Sequence, residues 1–447
     1  MGEMLAPAVD GPNSPPTPHD WRITRLGEIA ELASGGTPSK SRPEFWKGTI
    51  PWASPKDLKR PRLYDAEDHI SEAGLEDGSR IVEPGTLFVV VRGMILAKDL
   101  PVAIVKVPMA FNQDMKAVIP GPEVDGEFLL YAFQQHKPSL LPEISTSAHG
   151  TRRISTSAIE SFRFPLPPLP EQRAIAHVLR TVQRAKEATE KVIAATRQLK
   201  ASMMRHLFTY GPVPVDHAER VRLRETEIGS IPEHWAVRPL ESLAGLVSGG
   251  TPSKERVDYW QGPIPWASPK DMKRPRLADT EDHVSLEGAE NGSRIVPPGS
   301  VFVVIRGMIL AKDLPIAQAT VPMAFNQDMK AILPGGGLDS DFLLYSMVQH
   351  KAQLLPEIGT SAHGTKRIST SAIASFAIPV PPLPEQREIA RMLSVVDRNI
   401  AAEEHRGKAH SGVFESAIHH LMTGKLRVKY VARKNGEADQ PSRRRNR

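Results

Sequence analysis

Displaced by 214 residues, this chain falls on itself without a gap. Trp21 lands on Trp235, Trp52 on Trp266, Arg92 on Arg306 and Pro170 on Pro384. From Ser34 to Arg173, 100 of 140 positions are identical in the second copy. Such a period is far too long for a solenoid repeat. It describes one folding unit used twice, each of about 150 residues, an ordinary domain size.

Each copy ends in Pro-Pro-Leu-Pro-Glu-Gln-Arg, at Pro167–Arg173 and Pro381–Arg387. Pro170 suits the first turn of a helix, where its missing N–H has no partner to lose. Glu171 suits the positive end of the helix dipole. No Pro or Gly then follows until Gly211, which predicts one helix, roughly 60 Å long at 1.5 Å per residue. Ile175, Val178, Val182, Ala185, Thr189, Val192, Thr196, Leu199, Met203 and Leu207 recur at steps of three and four, alternating as far as Met203, the heptad pattern of a narrow seam. The second helix carries Ile389, Met392, Val396 and Asn399, then turns polar through Glu403, Arg406 and His410. Gly407 and Gly412 weaken it by about 1 kcal/mol each relative to Ala. Each helix needs a partner, and two helices following two copies of one domain can pair antiparallel about a pseudo-two-fold axis.

The chain has 447 residues and a formal charge of +6. Residues 425–447 hold nine Lys or Arg and two acids. The charge therefore sits in a tail that reads as a solvated, disordered end able to add non-specific phosphate contacts. Any nucleic-acid binding by the body must come from local patches. Residues 1–20 are Pro-rich and read as disordered, with no secretory signal pattern. No Cys is present, so disulfides and thiol chemistry are excluded, in keeping with a cytoplasmic protein. No apolar run approaches the ~18 residues of a membrane span.

Within a copy, Ser-Gly-Gly-Thr-Pro-Ser-Lys (Ser34–Lys40, Ser248–Lys254) reads as a loop. Ile50–Ala53, Thr86–Val91, Val102–Val107 and Lys116–Ile119 read as strands, Phe128–Gln135 as a short helix and Thr146–Ser157 as an exposed loop. The fold class is α+β.

Catalytic patterns are missing. The Gly35–Ser41 stretch lacks the Gly before Lys of a phosphate loop, and Lys254 is followed by Glu255. No dinucleotide-binding fingerprint, methyltransferase stretch or metal-binding His pattern appears. What occurs twice is a set of cations in loops. Lys56, Lys59, Arg60 and Arg62 match Lys270, Lys273, Arg274 and Arg276. Such crowded cations repel unless an anion neutralises them, which points to DNA; a solvated connection is the plain alternative. His149, Arg152 and Arg153 match His363, Lys366 and Arg367. Because a bidentate guanine contact loses its geometry when Arg becomes Lys, Arg152 suits phosphate, and Arg153 with Arg367 suits bases. Arg92 and Lys98 lie in a stretch identical at Arg306 and Lys312. An Arg ending a buried strand also suits a structural pair with Asp99 or Asp114. Thr37, Lys40, Thr251 and Lys254 complete the DNA-contact candidates. Asn112-Gln113-Asp114 suits either adenine edges or a turn, and Trp52 and Trp266 suit the core.

The two Ser-Gly-Gly-Thr-Pro loops, each followed by Ile-Pro-Trp and each domain closing on Pro-Leu-Pro-Glu-Gln-Arg before a long helix, resemble the specificity subunit of a type I restriction–modification enzyme. The resemblance covers Trp21 to Lys425. It implies two target recognition domains, at 21–169 and 235–383, separated by two long antiparallel spacer helices, at 170–211 and 384–424. A linker at 212–234 and terminal tails at 1–20 and 425–447 complete the plan. It implies a non-catalytic chain that binds double-stranded DNA, each domain reading half of a split site. Two methyltransferase subunits dock on it, and motor–endonuclease subunits join them. S-adenosylmethionine, ATP and magnesium are expected on those partners, with no cofactor on this chain. In the family the two domains usually differ; near-duplicates predict an interrupted palindrome. A scaffold with degenerate domains, or a stand-alone nuclease, are the alternatives.

Overall fold

The computed structural model describes residues 18–147, 150–361 and 364–428. They form two compact units. One comprises the described residues up to Thr189 with those from Arg406 onward, and the other is Glu190–His405. Each unit holds one recognition domain and half of each long helix.

In the first unit, Ala30–Ser34, Met115–Pro120, Leu87–Val90, Val102–Val105 and Arg62–Leu63 form a five-stranded sheet in that order. The first four pair antiparallel and the last joins in parallel. Leu87–Val90 is buried at all four positions, which explains why its apolar run does not alternate. A second sheet orders Asp68–Ile70, Ile50–Ala53, Met109–Phe111 and Ile81–Val82. The helix Gly126–His136 covers the core, capped by the Asp125 carboxylate. Arg22–Arg25 pairs with Arg163–Leu166 and returns the chain to the long helix. The second unit repeats this order, from Ala244–Ser248 to Ala377–Val380.

The long helices span Leu169–Tyr210 and Leu383–Met422, within two residues of the expected bounds. The buried side chain of Gln172 joins domain to helix. Its Nε2 donates to the carbonyls of Pro167 and Glu123 at 2.9 Å, and its Oε1 accepts the Asp125 N–H at 2.9 Å. Gln386 does the same with Pro381, Gly337 and Asp339. Glu171 accepts the Trp21 indole N–H at 3.0 Å, and Glu385 that of Trp235 at 2.9 Å. The Glu-Gln pair of the repeated motif is thus a joint, and Glu171 does more than complement a dipole.

Within each unit the helix halves run antiparallel. In the second, Arg197 meets Glu404 and Lys200 meets Asp397, both at 2.6 Å. In the first, Thr189 Oγ1 lies 3.2 Å from His410 Nδ1. The expected seam needs correction. Val192 and Leu199 are 47% and 54% exposed, and Asn399 is exposed. Leu179, Met204 and Leu393 are buried instead. A straight helix drifts ~20° per heptad, so a register chosen at Ile175 has turned by roughly 50° at Val192, while Thr189, one step earlier, is still buried.

Three further expectations change. The 212–234 linker contains a hairpin, Leu223–Thr226 with Gly229–Pro232, whose Ile231 is buried. The loop after Thr146 carries a short strand, Arg152–Arg153, and a helix, Thr156–Glu160, capped by Ser155. The ends of the described chain are tied down: Arg427 clamps Glu171 and Asp20, with Arg427 Nη2 2.7 Å from a carboxylate oxygen of each. Residues 1–17 and 429–447, on which the rest of the tail expectations fall, lie outside the described residues. Among the described residues no helix is long and apolar enough to cross a membrane.

Candidate nucleic-acid interface

The Ser-Gly-Gly-Thr-Pro loop is a brace. A Cβ on Gly35 would lie 2.2 Å from the Phe111 carbonyl oxygen, and one on Gly36 1.7 Å from that of Gly78. Only Gly fits these approaches. The Trp52 indole N–H donates to the Gly36 carbonyl at 2.9 Å, so Trp52 is a core residue with a stated task. The loop then presents Thr37, whose hydroxyl donates to Gln113 Oε1 at 2.5 Å. Thr251 holds Gln327 in the same way at 2.6 Å. Thr37 and Thr251 therefore orient an exposed Gln. Lys40 and Lys254 stay exposed.

Gln113 belongs to a turn in which the buried Asn112 accepts the Asp114 N–H at 3.1 Å; Asn112 is the turn-former. The Asp114 carbonyl receives the N–H groups of Val91 and Arg92 at 2.8 and 3.2 Å. Arg92 in turn forms a β-bridge with Arg153. The Gly93 N–H donates to the Arg152 carbonyl at 3.0 Å, and that of Ile154 to the Val91 carbonyl at 3.0 Å. Segments around residues 37, 92, 113 and 153 are thereby fastened side by side. In the second unit the bridge joins Arg306 to Arg367.

Arg92 is 62% exposed, with a long 3.9 Å approach to Asp114. Arg306 is 58% exposed and 3.6 Å from Asp328. Lys98, Arg153, Lys312 and Arg367 are exposed, and Arg152 and Lys366 half-buried. His149 and His363 lie outside the described residues.

The first cationic group divides. Lys59 and Arg60, like Lys273 and Arg274, are exposed. In the first unit both line a cavity of about 670 Å³ with Arg92, Met94, Ile95 and Asp114. Lys56 instead reaches Asp68 at 2.9 Å and Glu67 at 3.3 Å, and Lys270 reaches Asp282 at 2.8 Å and Glu281 at 3.3 Å. The Asp68 and Asp282 hydrogen bonds push both ammonium pKa values up. The anion that neutralises these two Lys is the chain's own. Arg62 is a further correction. Only 10% exposed, it gives Nη2 to Glu127 at 2.6 Å and to the Tyr131 hydroxyl at 2.8 Å, and Nη1 to Gln183 at 3.0 Å. Arg276 is likewise engaged with Asp341 at 2.8 Å and Ser394 at 3.3 Å. Both guanidiniums join sheet to long helix and leave the interface. Their sequence neighbourhood could not reveal this, since Glu127 lies 65 residues away.

Charge-based reading passes over Met94 and Ile95, with Met308 and Ile309. All four are exposed apolar side chains on the same lip as Arg92 or Arg306. The signal was their unchanged repetition inside Arg-Gly-Met-Ile-Leu-Ala-Lys-Asp.

This assembly is a rigid, cation-rich edge bearing amide and apolar groups, suited to a polyanion with chemically distinct edges between its charges. No group of His, Asp or Glu among the described residues is placed to hold a metal ion. Residues 18–196 and 232–409 match the family model for the type I restriction modification DNA specificity domain. The chain is 37% identical over 162 residues to the EcoR124I/EcoR124II specificity subunit of Escherichia coli, covering 36% of this chain and 40% of that protein. It is 24% identical over 421 residues to the MjaIX specificity subunit of Methanocaldococcus jannaschii, covering 92% and 94%. In fold it is similar to the S subunit of a type I restriction–modification system from M. genitalium, with a TM-score of 0.60 at 14% identity over 92% of this chain and 97% of that one.

Proposed function

Because the chain belongs to the family of type I restriction–modification DNA specificity subunits, we propose that its two cation-rich edges read the two halves of one split DNA site. Recognition is this chain's task; the chemistry belongs to the subunits it assembles with. Arg153 and Arg367 address base edges, with Gln113 and Gln327 held ready beside them. Lys59, Arg60, Arg92, Lys98 and their counterparts neutralise phosphates. The long helices set the distance between half-sites and dock two methyltransferase subunits, to which motor–endonuclease subunits join. S-adenosylmethionine, ATP and magnesium are carried by those partners, and the assembly works on DNA in the cytoplasm.

The observation that carries this reading is the repetition of one edge in both domains, down to the Thr–Gln hydrogen bond and the Arg–Arg bridge. Two like readers that each face one strand of the duplex take the same sequence on opposite strands. The site is then an inverted repeat around a non-specific spacer. Tyr64, 60% exposed where the second copy has Ala278, is the place where one half can differ. The binding test uses this chain assembled with its methyltransferase partner. The log of the association constant should fall steeply and linearly with the log of salt concentration, because phosphate contacts release counterions. Binding with no salt dependence contradicts the reading.

A further inference from the structure

The stretch Arg92–Asp99 is unchanged at Arg306–Asp313, and charge does not explain its middle. Met94 is 65% exposed and Ile95 41%; Met308 is 64% and Ile309 41%. Their neighbours in the same short turn, Leu96 and Leu310, are buried. The turn Met94–Ala97 thus has its own anchor, and Met94 and Ile95 are not needed for it. Gly93 has φ of +139° and Gly307 of +136°, a conformation that L side chains rarely adopt. That glycine swings the turn out from the strand Leu87–Val90, and its N–H is held by the Arg152 carbonyl. The result is an apolar tip on a fixed mount, with Arg92 before it and Lys98 after it. In the first unit Lys59 and Arg60 line the same cavity as the tip.

An exposed Met beside an Ile loses free energy in water unless something covers it. Cations on both sides require that cover to be anionic at its rim and apolar at its centre. The major groove of DNA has this layout: phosphates line its walls, and thymine presents a 5-methyl group on its floor. A protein surface would have to supply carboxylates around an apolar socket twice, once per domain. Building on the DNA-reading function above, we propose that Met94 and Met308, seated by Ile95 and Ile309, each contact the 5-methyl group of one thymine in their half-site and thereby specify it. The flexible, polarizable Met side chain suits such a contact.

The test uses this chain assembled with its methyltransferase partner and duplexes carrying its methylation motif. Each thymine of the half-sites is replaced by deoxyuridine, which lacks only the methyl group, at the same position in both halves. One position should weaken binding by about fourfold per half-site, the worth of one buried methyl group, and so by roughly tenfold or more in the doubly replaced duplex. In the Met94→Ala, Met308→Ala double variant that loss should vanish while responses at other positions persist. Both Met side chains are exposed, so the variant should unfold at the wild-type temperature. The proposal is overturned if no thymine responds, if the half-sites contain no thymine, or if the double variant responds as the wild type does. A complex that prefers its motif no more than a scrambled duplex overturns the parent reading as well, so the two failures are distinguishable.

Discussion

Arg62 and Arg276 occupy equivalent places in the two recognition domains, yet different partners hold them. In the first unit Glu127 gathers Arg62, Lys106 and Arg180, while Gln183 accepts from Arg62 and from the Tyr131 hydroxyl. In the second, Asp341 takes Arg276 at 2.8 Å, and Thr320 and Ser394 stand where Lys106 and Arg180 stood. Asp397, in the place of Gln183, takes Lys200 at 2.6 Å and the Tyr345 hydroxyl at 2.7 Å. The counterpart of Lys200 is Phe414, whose ring centroid lies 6.2 Å from that of Tyr131. A neutral pair in one socket is an ion pair in the other. The outward edges show nothing of this kind: Thr–Gln, Arg–Arg and Met–Ile recur in place. On the proposal that both domains read the same half-site, that shared target constrains the edges, whereas the sockets answer only to local charge balance.

The largest expected effect that separates the sockets is at Glu127. Burial pushes its carboxyl pKa up, but hydrogen bonds from Arg62 and Lys106 outweigh this and hold it below the usual carboxylate range. Glu127→Ala strands a nearly buried Arg62, and breaking such a pair costs about 3–5 kcal/mol. Asp341→Ala, at a 39% exposed side chain, should cost about 1 kcal/mol or less. Denaturant unfolding of the two variants checks the order; equal losses would erase the contrast.

Acid should act next. Burial drives the His136 pKa down to about 4 and lowers that of His350. The unfolded chain, with His near 6.5, binds more protons between those values. Stability should therefore be full above about pH 6.5 and fall towards pH 4, by about 3 kcal/mol for His136. Replacing His136 by Gln should flatten this part of the pH profile; an unchanged profile contradicts the assignment.

The rewired pair offers a sharper test at a smaller scale. Phe414→Lys alone buries a cation beside Tyr131, and Gln183→Asp alone adds an anion. Together they rebuild the Asp397–Lys200 arrangement. A double-mutant cycle should give a favourable coupling of about 1–2 kcal/mol, read from unfolding midpoints; strict additivity would mean that the sockets are not interchangeable. On the edges, Arg153→Ala and Arg367→Ala should each cost about 1–3 kcal/mol of binding and relax the same base position in opposite half-sites. Unequal effects would break the equivalence of the readers.

The duplication, the buried strand at Leu87–Val90 and both long helices were legible in the sequence, because identity under a fixed shift and unbroken runs are local facts. The helix seam was less so: apolar residues at Val192 and Leu199 fit a heptad but face outward. Cations could not be sorted at all. Lys59 and Arg62 are three residues apart and alike on paper, and only a distant glutamate decides that one is exposed and the other locked. Met94 was missed for the opposite reason. An apolar residue after a buried strand reads as core, and its exposure depends on Gly93 turning the chain outward.

The equivalence of the two readers is tested most directly by mapping every methylated base in a host that carries this chain with its methyltransferase partner and no other such system. The duplicated edges predict one motif, an inverted repeat interrupted by a non-specific spacer, with equivalent bases modified in both halves. A bipartite motif whose halves differ in sequence would contradict it.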